Sequence, residues 1–212
     1  MEQRVSAVGV LDKSISVLDA VATDGPASLA ALVERTGLSR ATVHRLAVAL
    51  EAHGLLRRDP AGRFALGLRL VGLGREAAAH WPLAERAAPV LAGLRDETGE
   101  SVQLYIRDGD ARLCVASLES PHELRTIVDL GARLPLDKGS AGTILREGPA
   151  AGRRWVESVE ERAPGVASVS AGALVDGQFV AIGVSGPVER TTRRPGRRYG
   201  DLVVAAAARL EV

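Results

Sequence analysis

Four residues, Thr36-Gly37-Leu38-Ser39, separate two short amphipathic stretches, and a connector that short leaves the flanking helices few ways to pack. Upstream, Val10–Ala22 places Leu11, Ile15, Leu18 and Val21 at helical spacing, and Asp24-Gly25-Pro26 stops the run. Ser28 is a good N-cap for Leu29–Arg35, whose Leu29, Leu32 and Val33 share one face, and Gly37 supplies the left-handed residue that ends it. Ser39 then caps a third helix reaching about His53, with Val43, Leu46, Ala47 and Leu50 inward and Gly54 as its stop. A turn of this length forces a steep crossing and leaves the amino end of the last helix projecting outward, the helix-turn-helix arrangement. A plain three-helix bundle also contains short turns and stays open at this point.

The residues that follow favour the first reading. Leu55-Leu56-Arg57-Arg58, Asp59-Pro60-Ala61-Gly62 and Arg63-Phe64-Ala65-Leu66 read as strand, tight turn and strand. A basic hairpin directly after a helix-turn-helix is the wing of a winged helix. Net charge is only +1 and suggests no partner by itself, but between Ser39 and Arg63 five Lys or Arg stand against two Asp or Glu. Such a local excess is the footprint expected of a duplex binder, although a solvated face produces it too. The exposed amino end of the third helix offers Arg40 and Arg45, each able to donate two parallel hydrogen bonds to guanine. Thr42 can meet a thymine methyl or a phosphate, Ser39 a phosphate, and His44 is either a reader or a structural residue. Arg57, Arg58 and Arg63 on the wing are expected at phosphates or in a minor groove.

The rest of the chain changes character. Leu68–His80 reads as a linker helix broken by Pro82, and Leu83–Thr98 as another helix, with Pro89 inside it or marking its start. Short alternating segments follow at Ser101–Arg107, Arg112–Ser117 and Arg125–Asp129, then helices near Ser140–Arg146 and Arg153–Arg162. A hairpin is expected from Val166–Leu174 and Phe179–Val184, and an Ala-rich helix from Gly200–Leu210. Antiparallel strands with flanking helices imply an α+β domain. The expected division is a winged helix over 1–67, a linker helix over 68–82, and a second domain over 83–212.

Composition closes off several alternatives. Aromatics make up 3% of the residues, too few for a platform that stacks single-stranded bases. One cysteine, Cys114, forms no internal disulfide; the amino end resembles no secretory signal, and no stretch reaches the about 20 apolar residues of a membrane helix. A soluble cytoplasmic protein is expected, with Cys114 a buried thiol. Gly72-Leu73-Gly74-Arg75-Glu76-Ala77 fits a dinucleotide-binding string, but it lies within the linker helix and follows no strand. Gly183-Val184-Ser185-Gly186-Pro187 is a loose likeness of a nucleophile elbow, with proline where the last glycine belongs. His80 and His122 have no obvious partner, and no metal-ligand spacing occurs. An enzyme, a protein-interaction module and a ligand-independent DNA binder are the alternatives; no catalysis and no cofactor are expected.

With these residues in view the chain resembles the IclR family of bacterial transcriptional regulators over nearly its whole length. The resemblance is carried by GLSRATVHRLAVALEAHGLL, RFALGLRL, SVQLYIRDGDARLCVAS, RLPLDKGSAG, GVASVSAGALV and VAIGVSGPVERTT. GVLDK, TGESVQLY, ERAPGVASVSA and SGPVERTTRRPGR are similar to an actinobacterial branch linked to amino-acid metabolism. The resemblance implies a repressor-type regulator that binds a double-stranded operator as a dimer or tetramer. It also implies a GAF-like second domain that takes a small-molecule effector, plausible as an amino acid or related carboxylate. It puts the effector between the loop Lys138-Gly139-Ser140-Ala141-Gly142 and the sheet positions Ser168, Ser170, Gly172, Gly183 and Ser185. The amides of Ser140 and Ala141 at a helix start offer an anion site, and short hydroxyls can orient a carboxylate. One departure stands out: between Leu145 and Val166 the chain is about twenty residues shorter than the resemblance implies, in a region that helps to enclose the effector.

Overall fold

The computed structural model describes residues 9–79 and 82–211. The chain divides into two compact units, Met1–His80 and Trp81–Val212.

The first unit consists of α1 (Gly9–Asp24), α2 (Leu29–Thr36), α3 (Arg40–Ala52), the strands β1 (Leu56–Arg58) and β2 (Phe64–Leu66), and α4 (Arg69–Ala79). The boundaries follow local chemistry. Ser28 Oγ accepts from the Ala31 N–H, and Gly37, at φ +67°, ends α2 with its N–H on the Val33 carbonyl. Ser39 Oγ accepts from the Thr42 N–H and starts α3 two residues later. The apolar faces of the three helices meet with Phe64 from the wing: Val17, Leu32, Val43, Ala47 and Phe64 are fully buried. Phe64 also exchanges backbone hydrogen bonds with Ala27, which ties the wing to the segment before α2. The string Gly72–Ala77 lies inside α4, past its first turn.

The second unit runs α5 (Pro82–Thr98), β3 (Ser101–Asp108), β4 (Ala111–Leu118), β5 (Arg133–Pro135), α6 (Ser140–Glu147), a single 3-10 turn (Pro149–Ala151), β6 (Val156–Val159), β7 (Val166–Val175), β8 (Gln178–Pro187), α7 (Val188–Thr191) and α8 (Pro195–Leu210). The strands form an antiparallel sheet in the order β5-β4-β3-β8-β7-β6. Side chains alternate across a strand, so each face of the sheet has its own composition. Val102, Leu104, Val169, Ala171, Ala173, Val180, Ile182 and Val184 pack with Leu91 and Leu94 of α5 and Val203, Ala206 and Leu210 of α8. The alternate residues, Gln103, Tyr105, Ser168, Ser170, Ala181, Gly183 and Ser185, belong to the opposite face, where Ala141, Ile144 and Leu145 of α6 pack on Tyr105, Cys114 and Ala181.

Two expected elements are different in the structure. Arg125–Asp129 is not a strand: the Ser101 hydroxyl holds the Thr126 carbonyl, and the partner of β4 is instead Arg133–Pro135. Arg153–Arg162 is not a helix. Its Val156–Val159 core pairs with Ala167–Ser170 as an edge strand, and the Trp155 ring lies so close to Gly196 and Gly200 of α8 that a Cβ at either position would overlap it. Apolar residues at Trp155, Val156 and Val159 suit either period, and tertiary pairing decides. Pro89 lies within α5, and the last helix starts earlier than expected, at Pro195.

Candidate nucleic-acid interface and ligand cleft

The outer face of α3 is a row of exposed residues: Arg40, Ala41, His44, Arg45 and Val48. Val43, Ala47 and Leu50 point inward, as their spacing requires. Among the described residues Arg40, His44 and Arg45 engage in no hydrogen bond or ion pair, so three exposed donors on α3 are free to meet a partner. Ser39 and Thr42 are committed to the cap: their hydroxyls are 2.9 Å apart, and Ser39 also takes the Thr42 amide.

The three wing arginines differ. Arg57 is exposed with no internal partner among the described residues. Arg58 stacks on Phe64 with its guanidinium 3.6 Å from the ring centre, donates to the Gly62 carbonyl at 2.8 Å and reaches Glu51 at 3.4 Å. Arg63 is paired with Asp59 at 2.8 Å. Asp59 organises the turn itself, accepting from the Ala61 and Arg63 amides at 2.9 and 2.8 Å. The Arg63 amide, then its guanidinium, holds the Asp59 carboxyl below its usual range.

In the second unit the sequence-predicted pocket residues do come together, beneath the amino end of α6. Ser140 Oγ lies 2.8 Å from both Ser168 Oγ and Ser170 Oγ. Ser185 Oγ donates to Gln103 Oε1 at 2.9 Å. Gly183 sits between Gln103 and Ser170 in the strand register, and a Cβ there would come within 2.2 Å of the Ser170 hydroxyl. Glycine at 183 is therefore what leaves room for that hydroxyl. Gly172 lies further along, under Phe179 and Ile144. The resulting cleft encloses about 30 Å³, space for one or two water molecules.

Sequence reasoning missed a buried arginine of this cleft. Arg112 of β4 is 3% exposed, and its guanidinium lies against the first turn of α6. Its Nη1 donates to the carbonyls of Pro135 and Lys138, while its Nε is buried without a partner. Burial, with Arg162 nearby, lowers its hold on the proton, and burial raises the Tyr105 hydroxyl beside it above its ordinary value. Gln103 Nε2 is a second buried donor without a partner. Arginine in a strand next to apolar residues carries no local signal; only the pairing that carries β4 toward α6 reveals it. Gly139, the N-cap of α6, is at φ +81°, offers no capping side chain, and donates its amide to Glu161 Oε2 at 2.9 Å.

Cys114 is buried, and desolvation pushes its thiol up to about 11, far from a reactive thiolate. Ser185, in the elbow-like string, has Gln103 as its hydrogen-bond partner, and among the described residues no histidine is in hydrogen-bonding contact with it. No group of three or more His, Cys, Asp or Glu able to hold a metal ion occurs among the described residues, and no helix there is long and apolar enough to cross a membrane.

Comparison with known proteins bears on both units. The regulator KipR of Bacillus subtilis is 34% identical over 60% of this chain and 51% of its own length, so that match spans about half of KipR. BhcR of Paracoccus denitrificans, also a helix-turn-helix transcriptional regulator, is 28% identical over 96% of this chain and 86% of its own. An IclR homologue from Microbacterium hydrocarbonoxydans, crystallised with 4-hydroxybenzoate, superposes over 95% of this chain and 97% of that one with a TM-score of 0.77 at 19% identity, a likeness of fold. Residues 10–60 match the IclR helix-turn-helix domain and residues 75–147 the C-terminal domain of the bacterial transcriptional regulator IclR, which together make up more than half of the chain. The chain belongs to the IclR family of transcriptional regulators.

Proposed function

We propose that this chain is a cytoplasmic repressor whose affinity for a double-stranded operator is set by a small carboxylate. Its closest functional setting is amino-acid metabolism in the actinobacterial branch that its wording resembles. The observation that carries the DNA-binding part is the exposed, uncommitted edge of α3. Arg40 and Arg45 read guanine edges, and His44 lies between them. Ser39 and Thr42 hold the helix end and face phosphate, and Arg57, Arg58 and Arg63 add phosphate contacts from the wing. The winged helix spans 1–67, the linker helix 68–82 and the effector domain 83–212.

The effector sits with its charge at the amides of Ser140 and Ala141 and its body near Ser168, Ser170, Gly183 and Ser185. Two buried donors without partners, Gln103 Nε2 and Arg112 Nε, support a ligand rich in acceptors. Exposed apolar residues, Val10, Leu11 and Ile15 of α1 and Val71 and Leu73 of α4, support association into a homodimer or tetramer. Occupancy then favours one placement of the paired winged helices over another. A gel-shift titration on the promoter fragment beside its own gene and on random duplex, at rising salt, tests the proposal. Tight binding to the promoter that weakens steeply with salt is expected; salt-insensitive binding, or none, contradicts it.

A further inference from the structure

The carboxy end of α6 walls a second and larger hollow in the same unit. Its volume is about 170 Å³, against about 30 Å³ for the cleft beneath Ser140. A cavity of about 150 Å³ accommodates benzene, so this one takes a single ring or an aliphatic body of that size. Local structure makes the space. α6 stops at Gly148, which at φ +74° bonds its N–H to the Ile144 carbonyl and leads into the turn Pro149–Ala151. β6 pairs with β7 only over Ala167–Ser170, so the β7 edge from Gly172 onward has no strand beside it. Ile144, Leu174 and Phe179 supply an apolar floor. Gly172 makes room for the Phe179 ring, which an added Cβ would meet at 2.5 Å. Three charged groups complete the lining: Glu147, Arg153 and Glu211. Arg153 is committed to Glu147, at 2.6 Å. Glu211 takes the Leu174 amide of the open β7 edge on Oε1 at 3.0 Å, and among the described residues no cation pairs with it. The hollow therefore offers a carboxylate and no uncommitted cation beside an apolar floor, which suits a cation with an apolar body and disfavours an anion.

We propose that this hollow is a second ligand site, and that its ligand is a small primary amine carrying one ring or a comparable apolar body. The body lies on Ile144, Leu174 and Phe179, and the ammonium meets the Glu211 carboxylate. The site is separate from the serine cleft, whose buried donors suit a ligand rich in acceptors, and the two share α6. Glu211→Gln keeps the shape and the bond from Leu174 while removing the charge. Ala151→Trp fills the hollow from its wall. Both positions are exposed, so neither change disturbs the core.

The experiment is a ligand-observed NMR titration of the full chain with benzylamine and with benzyl alcohol, its neutral counterpart, at constant ionic strength, with the melt of each variant recorded. Benzylamine is expected to bind with a Kd of about 1 mM, and the alcohol about threefold to fivefold more weakly, the worth of one exposed ion pair. In Glu211→Gln the amine falls to the affinity of the alcohol, and in Ala151→Trp neither binds. An excess of benzoate leaves the amine bound, whether or not the serine cleft takes benzoate for itself, so failure here and failure of the carboxylate reading stay distinct. Displacement of benzylamine by benzoate in the wild type overturns the ammonium class. Equal amine affinity in the wild type and Glu211→Gln overturns the pairing with Glu211. Amine binding that survives in folded Ala151→Trp, or no binding by the wild type, overturns the site.

Discussion

The two units hold their polar residues in opposite ways. On α3 the side chains of Arg40, His44 and Arg45 are exposed and tied to no other described residue, and the fold beneath them is a small apolar cluster around Leu32, Val43 and Phe64. In the second unit the polar residues are buried and bound to each other: Ser140 to Ser168 and Ser170, Ser185 to Gln103, Glu100 to Arg190. If α3 carries the proposed DNA contacts, the first arrangement separates function from stability, and those residues are free to change with little cost to the fold. The second couples them, because each buried polar group left without its partner is penalised.

That contrast breaks first at Glu100, if it breaks at all. Its side chain is 2% exposed and takes two bonds from Arg190, at 2.7 and 2.9 Å, with Gly186 leaving the space for it. Arg190 stays partly exposed, which moderates the loss; Glu100→Ala is expected to cost about 2–4 kcal/mol in a urea melt. Arg45→Ala, on the exposed face of α3, is expected to leave the same melt within about 0.5 kcal/mol. Equal losses would erase the distinction. Ser185→Leu comes next, at about 1–3 kcal/mol, because Ser185 is 7% exposed and bonded to Gln103. An unchanged melt would show instead that the cleft opens readily around it.

The wing sharpens the comparison with smaller effects. Arg57 alone is uncommitted, so Arg57→Ala should reduce the salt slope of DNA binding by about one unit, whereas Arg58→Ala also loosens the hairpin it braces through Phe64. Replacing Arg57, Arg58 and Arg63 together should flatten the slope further; an unchanged slope would place the wing away from DNA. Acid acts on the same turn. Asp59 has its folded pKa depressed, so the support it gives is complete above the ordinary carboxylate range and is lost as pH falls through the lower, folded value. Faster amide exchange at Ala61 and Arg63 below that range is the expected reading.

The two units also differ in how far the sequence alone reveals them. Ser28, Gly37, Ser39 and Gly62 specify caps and turns within a few residues of themselves, so the helices and wing of the first unit could be read from local chemistry. In the second unit the serines of β7 and β8 are legible through resemblance alone. Arg112 and Glu161 are not, because their meeting at α6 depends on strand pairing across the whole domain. The structure departs from the expected helix at Arg153–Arg162 and the expected strand at Arg125–Asp129 for the same reason: the partner, β7 in one case and the Ser101 hydroxyl in the other, is remote in sequence.

The most direct test of the account is Arg40→Ala, measured by fluorescence anisotropy on the cognate promoter duplex and on random duplex at one salt concentration. If the free edge of α3 reads base edges, the variant loses about 1–3 kcal/mol on the cognate duplex and little on random DNA, with preference relaxed at one position of each half-site. Equal losses on both duplexes would mean that Arg40 meets only phosphate, and no loss on either would contradict α3 as the recognition helix.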